Sequence, residues 1–219
     1  MSGDKYRIKI LNYSRQKFFR QGFYKTSMDE ISSELRISKK TIYKFFDTKE
    51  DLVSQIINDS LENDEIILDE IINSGDNVII KFIRIMSYLQ MRFSELSEYW
   101  LRDLQIHIPK KWEALDEFRV IKVNSVMKKL IEQGKREKSI KNLDSSLIIE
   151  ITISSMRMIL RNDFLTKNKL TVVDAYLQIF DLLLNGILTE KGKRMYNSEK
   201  RKIKSNFEKN LLLEREFYV

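Results

Sequence analysis

TSMDEISSELRISKKTIYKFFDTKEDL, residues 26–52, decides how this chain is read. Ser27 can cap a helix that carries Glu30 at its third position, and Ile31 and Leu35 supply an inward face. Arg36-Ile37 then allow a tight turn. Ser38 caps a short second helix, Lys39–Phe46, which is basic and aromatic. Asp47-Thr48 end it, and Thr48 starts another helix with Glu50 and Asp51 in its first turn, where the helix dipole favours acids. Two short helices joined by a tight turn, the second one basic, suit insertion of that second helix into the major groove of DNA.

The flanking sequence is helical throughout. Residues 4–21 place Ile8, Leu11, Phe18 and Phe19 among Lys and Arg and stop at Gly22. The helix begun at Thr48 is expected to reach Asn73, and Asp76 is expected to cap the next one. A shorter helix over Glu98–Ile106 precedes Pro109, which suits the first position of a long helix ending at Gly134. Lys135–Leu143 is expected to be a polar loop. Asp144 caps a helix through Phe164, and Thr171 with Asp174 opens one through Leu188. About nine helices and no strand are expected: an all-α chain.

Composition narrows the function classes. The 219 residues include one Pro and no Cys, so disulfides, thiolate chemistry and Cys-ligated zinc are excluded. A single His and the absence of HExxH, P-loop or dinucleotide-binding patterns leave little for an enzyme, and no metal or cofactor is expected. The N-terminus has no apolar signal segment and no run of about 18 apolar residues occurs, so the expected setting is cytoplasmic with no membrane partner. Residues 1–49 carry 12 Lys+Arg and 5 Asp+Glu; the remaining residues carry 27 of each sign. The whole excess of +7 therefore sits beside the basic helix, as expected of a polyanion binder.

Residues 26–52 resemble the N-terminal domain of the TetR family of bacterial transcriptional regulators. Thr26, Ile31, Ile37, Ser38, Thr41, Tyr43, Phe46, Lys49, Glu50 and Leu52 stand at the places that carry that family's pattern. The turn Gly of the family is Arg36 here, its His or Tyr before the last Phe is Phe45, and the residue before the recognition Thr is Lys40. An altered turn is expected at Arg36, because a non-Gly residue with positive φ costs about 1 kcal/mol. The resemblance implies a helix-turn-helix DNA-binding domain over residues 1–48. A helical ligand-binding and dimerisation domain over 49–190 would follow, with a basic and then apolar tail over 191–219. Residues 145–164 and 171–188 would form the dimerisation pair.

The candidate DNA contacts are Thr26, Ser38, Lys39, Lys40, Thr41, Tyr43, Lys44 and Lys49. Lysines can donate to guanine edges, and the Thr41 methyl can meet a thymine methyl. The resemblance makes Tyr43 a phosphate contact, and Thr26 and Lys49 are placed for phosphate at helix N-termini. The competing reading of Thr26 and Lys49 is that they serve the helix ends. In the body, Tyr88, Phe93, Trp100, His107, Trp112, Phe118 and Met156 are candidates for an apolar effector pocket. Each of them also reads as ordinary core. Arg102, Arg119 or Arg157 could orient an anionic group there.

The expected function is thus a homodimeric, sequence-specific regulator of transcription. It would be a repressor released from a pseudo-palindromic site on double-stranded DNA by a small-molecule effector. The alternative is a helical adaptor whose basic N-terminal face binds a non-DNA anionic partner.

Overall fold

The computed structural model describes residues 3–160 and 162–202. Ten α-helices follow in order: α1 Gly3–Gln21, α2 Met28–Leu35, α3 Lys39–Tyr43, α4 Lys49–Asn73, α5 Val78–Ser94, α6 Glu98–His107, α7 Pro109–Arg136, α8 Ser145–Ile159, α9 Asn162–Asn168 and α10 Val172–Ile187. Residues 190–202 are helical as well and are called α11. No strand occurs among the described residues. The only extended pairing there is an isolated antiparallel bridge, Ile140 to Leu188, which ties the α7–α8 loop to the end of α10. No described helix is long and apolar enough to cross a membrane.

Two cores hold the chain. The first gathers Ile10, Phe18, Ile31, Ile42 and Phe46 from the N-terminal helices with Leu52, Val53, Ile56 and Ile57 from the start of α4. It continues into Trp100, Leu101 and Leu104 of α6 and Tyr176 of α10. The second is built from α4, α5, α7, α8 and α10 around Phe82, Leu130, Ile131, Ile149 and Leu184. α4 therefore serves both: its first turns bury the head's residues, and Ile71 and Ile72 near its end lie in the second core. The buried stripe of α1 is Ile10, Leu11, Ser14 and Phe18, at helical spacing, while Ile8 faces outward at 53% exposure.

Local chemistry explains most boundaries and several corrections. Thr48 accepts from the Asp51 N–H and Ser97 from the Trp100 N–H, which starts α4 and α6. Thr171 and Asp174 form a complete capping box at α10. Asn77, not Asp76, caps α5, its Oδ1 accepting from Ile79 and Ile80 N–H at 3.0 and 3.1 Å. Asp76 instead pairs with Arg84 at 2.6 Å. α7 runs through Gly134 to Arg136 and reverses at Lys138, which has φ 58°. A Cβ on Gly134 would collide with the Ile140 side chain, so the small residue serves packing and not termination. The single helix expected over residues 145–164 is two. Gln105 of α6 donates to the Leu160 carbonyl at 2.9 Å, taking an acceptor that a continuous helix would use internally.

The expected tail over 191–219 begins as α11. Tyr196 is buried, its hydroxyl donating to Asp181 Oδ1 at 3.1 Å, and Lys191 donates to the Glu137 carbonyl at 2.8 Å. Residues 203–219, the remainder of that tail, lie outside the described residues.

Candidate nucleic-acid interface and body cavities

The turn between α2 and α3 keeps its left-handed residue despite the missing glycine. Arg36 has φ 54° and ψ 47°. Its N–H donates to Ser33 O at 3.1 Å and the Ile37 N–H to Ser32 O at 3.0 Å, the paired bonds of a Schellman motif. The expectation of an altered turn is thus corrected: the two carbonyl caps and the half-buried Ile37 hold Arg36 where glycine is favoured. At the other end of α2, Ser27 accepts from the Glu30 N–H at 3.1 Å. The Glu30 carboxylate turns away to Lys17 at 2.6 Å.

α3 is held from beneath and bare above. Ser38 Oγ accepts from the Thr41 N–H at 3.1 Å, and the two hydroxyls lie 2.8 Å apart. Ile42 and Phe46 are fully buried, and the Phe46 N–H still reaches Ile42 O at 3.0 Å, so the helical turn persists past Tyr43. Lys39, Lys40, Tyr43 and Lys44 are exposed, and Tyr43 keeps 46% of its surface. Lys39 meets Asp29 at 2.5 Å, but both side chains are over half exposed, a pair of about 0–1 kcal/mol that a phosphate can displace. Among the described residues Lys25, Arg36, Lys40 and Lys44 have no carboxylate partner. Lys40 and Lys44 thus stand as exposed cations at α3 without a carboxylate among the described residues.

Thr26 and Lys49 are placed differently from the other candidates. Thr26 is 2% exposed, and its hydroxyl donates to Gly22 O and accepts from Gln21 Nε2. The Lys49 ammonium donates to the carbonyls of Phe23, Tyr24 and Thr26 at 3.0, 2.9 and 3.1 Å. Burial pushes its pKa down, an effect that Asp103 and Glu50 only partly oppose. Both side chains are spent on the loop between α1 and α2, which favours the helix-end reading over phosphate contact.

Asp103 completes that brace and was missed in the sequence. It lies 5% exposed on α6 and accepts from the Tyr24 N–H at 2.8 Å. It also packs against Gly22, whose φ of 80° and lack of a Cβ let the two approach. A carboxylate on the face that carries Trp100, Leu101 and Leu104 is the signal that could have identified it. One turn further along α6, the exposed His107 stacks on Tyr24 with rings 3.7 Å apart and 2° from parallel. α6 thus grips the head through Tyr24 twice.

The expected pocket residues do not share one cavity. An apolar cavity of about 80 Å³ lies between α4, α5, α7, α8 and α10, with Met156 and Tyr176 in its wall. Phe93 and Trp100 line a second, of about 100 Å³, nearer the head. Leu89 borders both, and Phe93 meets Tyr176 edge-on at 5.1 Å between them. Tyr88 gives its hydroxyl to Asp64, Trp112 lies under the Arg119 guanidinium at 4.9 Å, Phe118 is half-buried outside both cavities, and His107 is on the surface. A broader polar cleft of about 680 Å³ runs between α1, α4 and α5, where Arg15–Asp59 and Arg92–Glu95 neutralise one another.

Residues 10–56, which run from the middle of α1 through the first turns of α4, match the model of bacterial regulatory proteins of the TetR family. The uncharacterized HTH-type transcriptional regulator YvaF of Bacillus subtilis is 23% identical over 175 residues, covering 80% of this chain and 92% of its own length. A TetR-family regulator from Agrobacterium tumefaciens superimposes with a TM-score of 0.66 at 15% identity, over 86% of this chain and all of its own. A gamma-butyrolactone receptor described as ArpA-like gives 0.67 at 12% identity over 94% of this chain and all of its own. With the helix-turn-helix, its exposed basic α3 and the helical body all in place, residues 10–56 match the TetR-family DNA-binding domain and the chain as a whole shares the fold of the TetR-type regulator structures.

Proposed function

We propose that the protein is a homodimeric repressor that leaves a pseudo-palindromic operator when a small molecule binds its body. The observation that carries this reading is α3, where Lys39, Lys40, Tyr43 and Lys44 stand exposed over a buried Ile42 and Phe46. Lys40 and Lys44 supply base-edge or phosphate contacts, and Tyr43 a phosphate contact. Ser38 and Thr41 spend their hydroxyls on each other and on the start of the helix, leaving the Thr41 methyl as a thymine contact. The head comprises residues 1–48, the effector-binding and dimerisation body residues 49–190, and the tail residues 191–219. The protein acts in the cytoplasm, where the operator is.

Dimerisation is assigned to α8 and α10. Leu147, Ile151 and Leu182 are 59, 44 and 72% exposed on these helices, and Leu147 and Ile151 lie one turn apart. Such a face is buried by a second copy about a two-fold axis, which sets two α3 helices facing one duplex. An effector acts only if it binds the conformation with the wrong spacing between heads more tightly than the DNA-bound one. α6 is the mechanical link in this scheme: it borders the second cavity and holds the loop after α1 through Asp103 and His107.

Footprinting on bound genomic fragments tests the reading. A dimer protects two half-sites whose centres are about 34–36 Å or a multiple of that apart. Protection of a single isolated half-site contradicts it.

A further inference from the structure

Among the described residues, Arg119 of α7 has no carboxylate partner. It lines the cavity shared with Phe93, Trp100, Leu104 and Leu115. Although the residue as a whole is only half-buried, its Nη1 is sealed from solvent and has no hydrogen-bond partner among the described residues. The two carboxylates whose charge it feels, Asp116 and Asp64, are committed elsewhere. Asp116 is held by Arg157 at 2.9 Å; Asp64 is held by Arg92 at 2.8 Å and by the Tyr88 hydroxyl. The Trp112 ring, 4.9 Å from the guanidinium, offers a cation–π contact but no acceptor. A guanidinium cannot escape by losing its proton, so burial without an acceptor is costly unless something arrives to pair with it.

The surroundings describe the partner. Beyond Arg119 the cavity wall is aromatic and aliphatic apart from Ser60 and the mutually paired Arg92 and Asp64, and Leu89 and the Phe93–Tyr176 contact stand between it and the apolar cavity under Tyr176. The hydroxyl of Tyr176, in the wall of that apolar cavity, is also buried and has no hydrogen-bond partner among the described residues. We propose that the effector is an amphiphilic anion: a carboxylate or phosphate-type group pairs with Arg119, and an apolar body fills the cavity walled by Phe93, Trp100, Leu104 and Leu115. This rests on the effector-released reading above and names the chemical class that the body receives. A planar oxyanion suits the guanidinium fork, which it can engage through two parallel hydrogen bonds.

The probes are octanoate and 1-octanol, which share a chain and differ in charge. Trp100 and Trp112 lie against the cavity and Arg119, so intrinsic fluorescence of the full-length protein reports binding. Octanoate is expected to bind at least about tenfold more tightly than octanol. Arg119→Met is expected to abolish that preference while octanol binding persists. Arg119→Lys, which keeps the charge, retains part of the preference and replaces the Met variant if that one fails to fold. Equal affinities of the two probes for the wild-type protein, no fluorescence response to either, or an unchanged preference in the variants overturns the proposal. Repeating the titration on an operator complex separates the two readings. Octanoate that binds through Arg119 without releasing DNA leaves the site standing and removes the effector-release reading. Release by an uncharged compound, with octanoate unbound, does the reverse.

Discussion

Replacing Lys49 by Met distinguishes a loop brace from a phosphate contact. Met keeps most of the aliphatic stem and removes only the ammonium, which donates to the carbonyls of Phe23, Tyr24 and Thr26 at 2.9–3.1 Å. Hydrogen bonds from charged donors contribute about 1.5–3 kcal/mol each in protected sites, but the three share one donor and the carbonyls can partly regain water. A net loss of about 1–2 kcal/mol is therefore expected, which for a chain of this size lowers the thermal midpoint by about 2–8 °C. The loop also carries the entry to α2, so affinity for DNA should fall, but uniformly with salt. The assay pairs thermal denaturation with operator binding over a range of salt concentrations. If the midpoint is unchanged while the logarithmic salt slope drops by about 0.9 per half-site, Lys49 neutralises a phosphate and the brace is refuted.

Other perturbations probe the remaining parts. Lys40→Ala with Lys44→Ala should leave the thermal midpoint unchanged and weaken DNA binding. If these lysines read base edges, each truncation costs about 1–3 kcal/mol; if they neutralise phosphates, each lowers the salt slope by about 0.9, and titration at several salts tells which. Leu182→Lys places a charge on a residue that is 72% exposed in one chain, so it should leave the fold intact and yield monomers in sedimentation. A dimer that survives both this change and Leu147→Glu excludes α8 and α10 as the interface. Acid should destabilise the fold. Lys17 beside Glu34, Arg84 beside Asp76 and Lys200 beside Asp181 hold those carboxyls below their usual range. The stability they contribute is present above the ordinary carboxylate pKa and lost as pH falls through the lowered values. The midpoint should thus stay level from neutrality to about pH 5 and fall below about pH 4. A midpoint that rises on acidification contradicts this.

What the sequence makes legible is local, and what it hides is spread across the chain. Ser27, Ser38, Thr48, Asp144 and Thr171 cap helices as their types and neighbours imply. The buried set Ile31, Leu35, Ile42 and Phe46 follows from spacing. Arg36 shows the limit of propensity: a cost of about 1 kcal/mol is outweighed by two backbone caps and the packing of Ile37, as tertiary context commonly does. Thr26 and Lys49 have the types and positions of phosphate ligands, yet both side chains also bond to the loop from Gly22 to Thr26, which Asp103, far along the chain, braces through the Tyr24 N–H. At the end of α8 the Leu160 carbonyl accepts from Gln105 of α6, a contact again beyond the reach of any local window. The pocket candidates divide for a similar reason: Phe93, Trp100 and Met156 border cavities, whereas Tyr88, His107, Trp112 and Phe118 do not. Apolar type and helix spacing identify burial, but not which buried side chains border a void.

The central claim is that α3 reads a specific DNA sequence as one of a symmetric pair. The most direct test is to sequence the genomic fragments retained by the purified full-length protein at about physiological salt, where nonspecific binding is suppressed. Enrichment of one near-palindromic motif, lost in the Lys40→Ala, Lys44→Ala variant, is the expected result. Uniform weak retention that disappears as salt rises would contradict it, leaving a basic helical head without an operator.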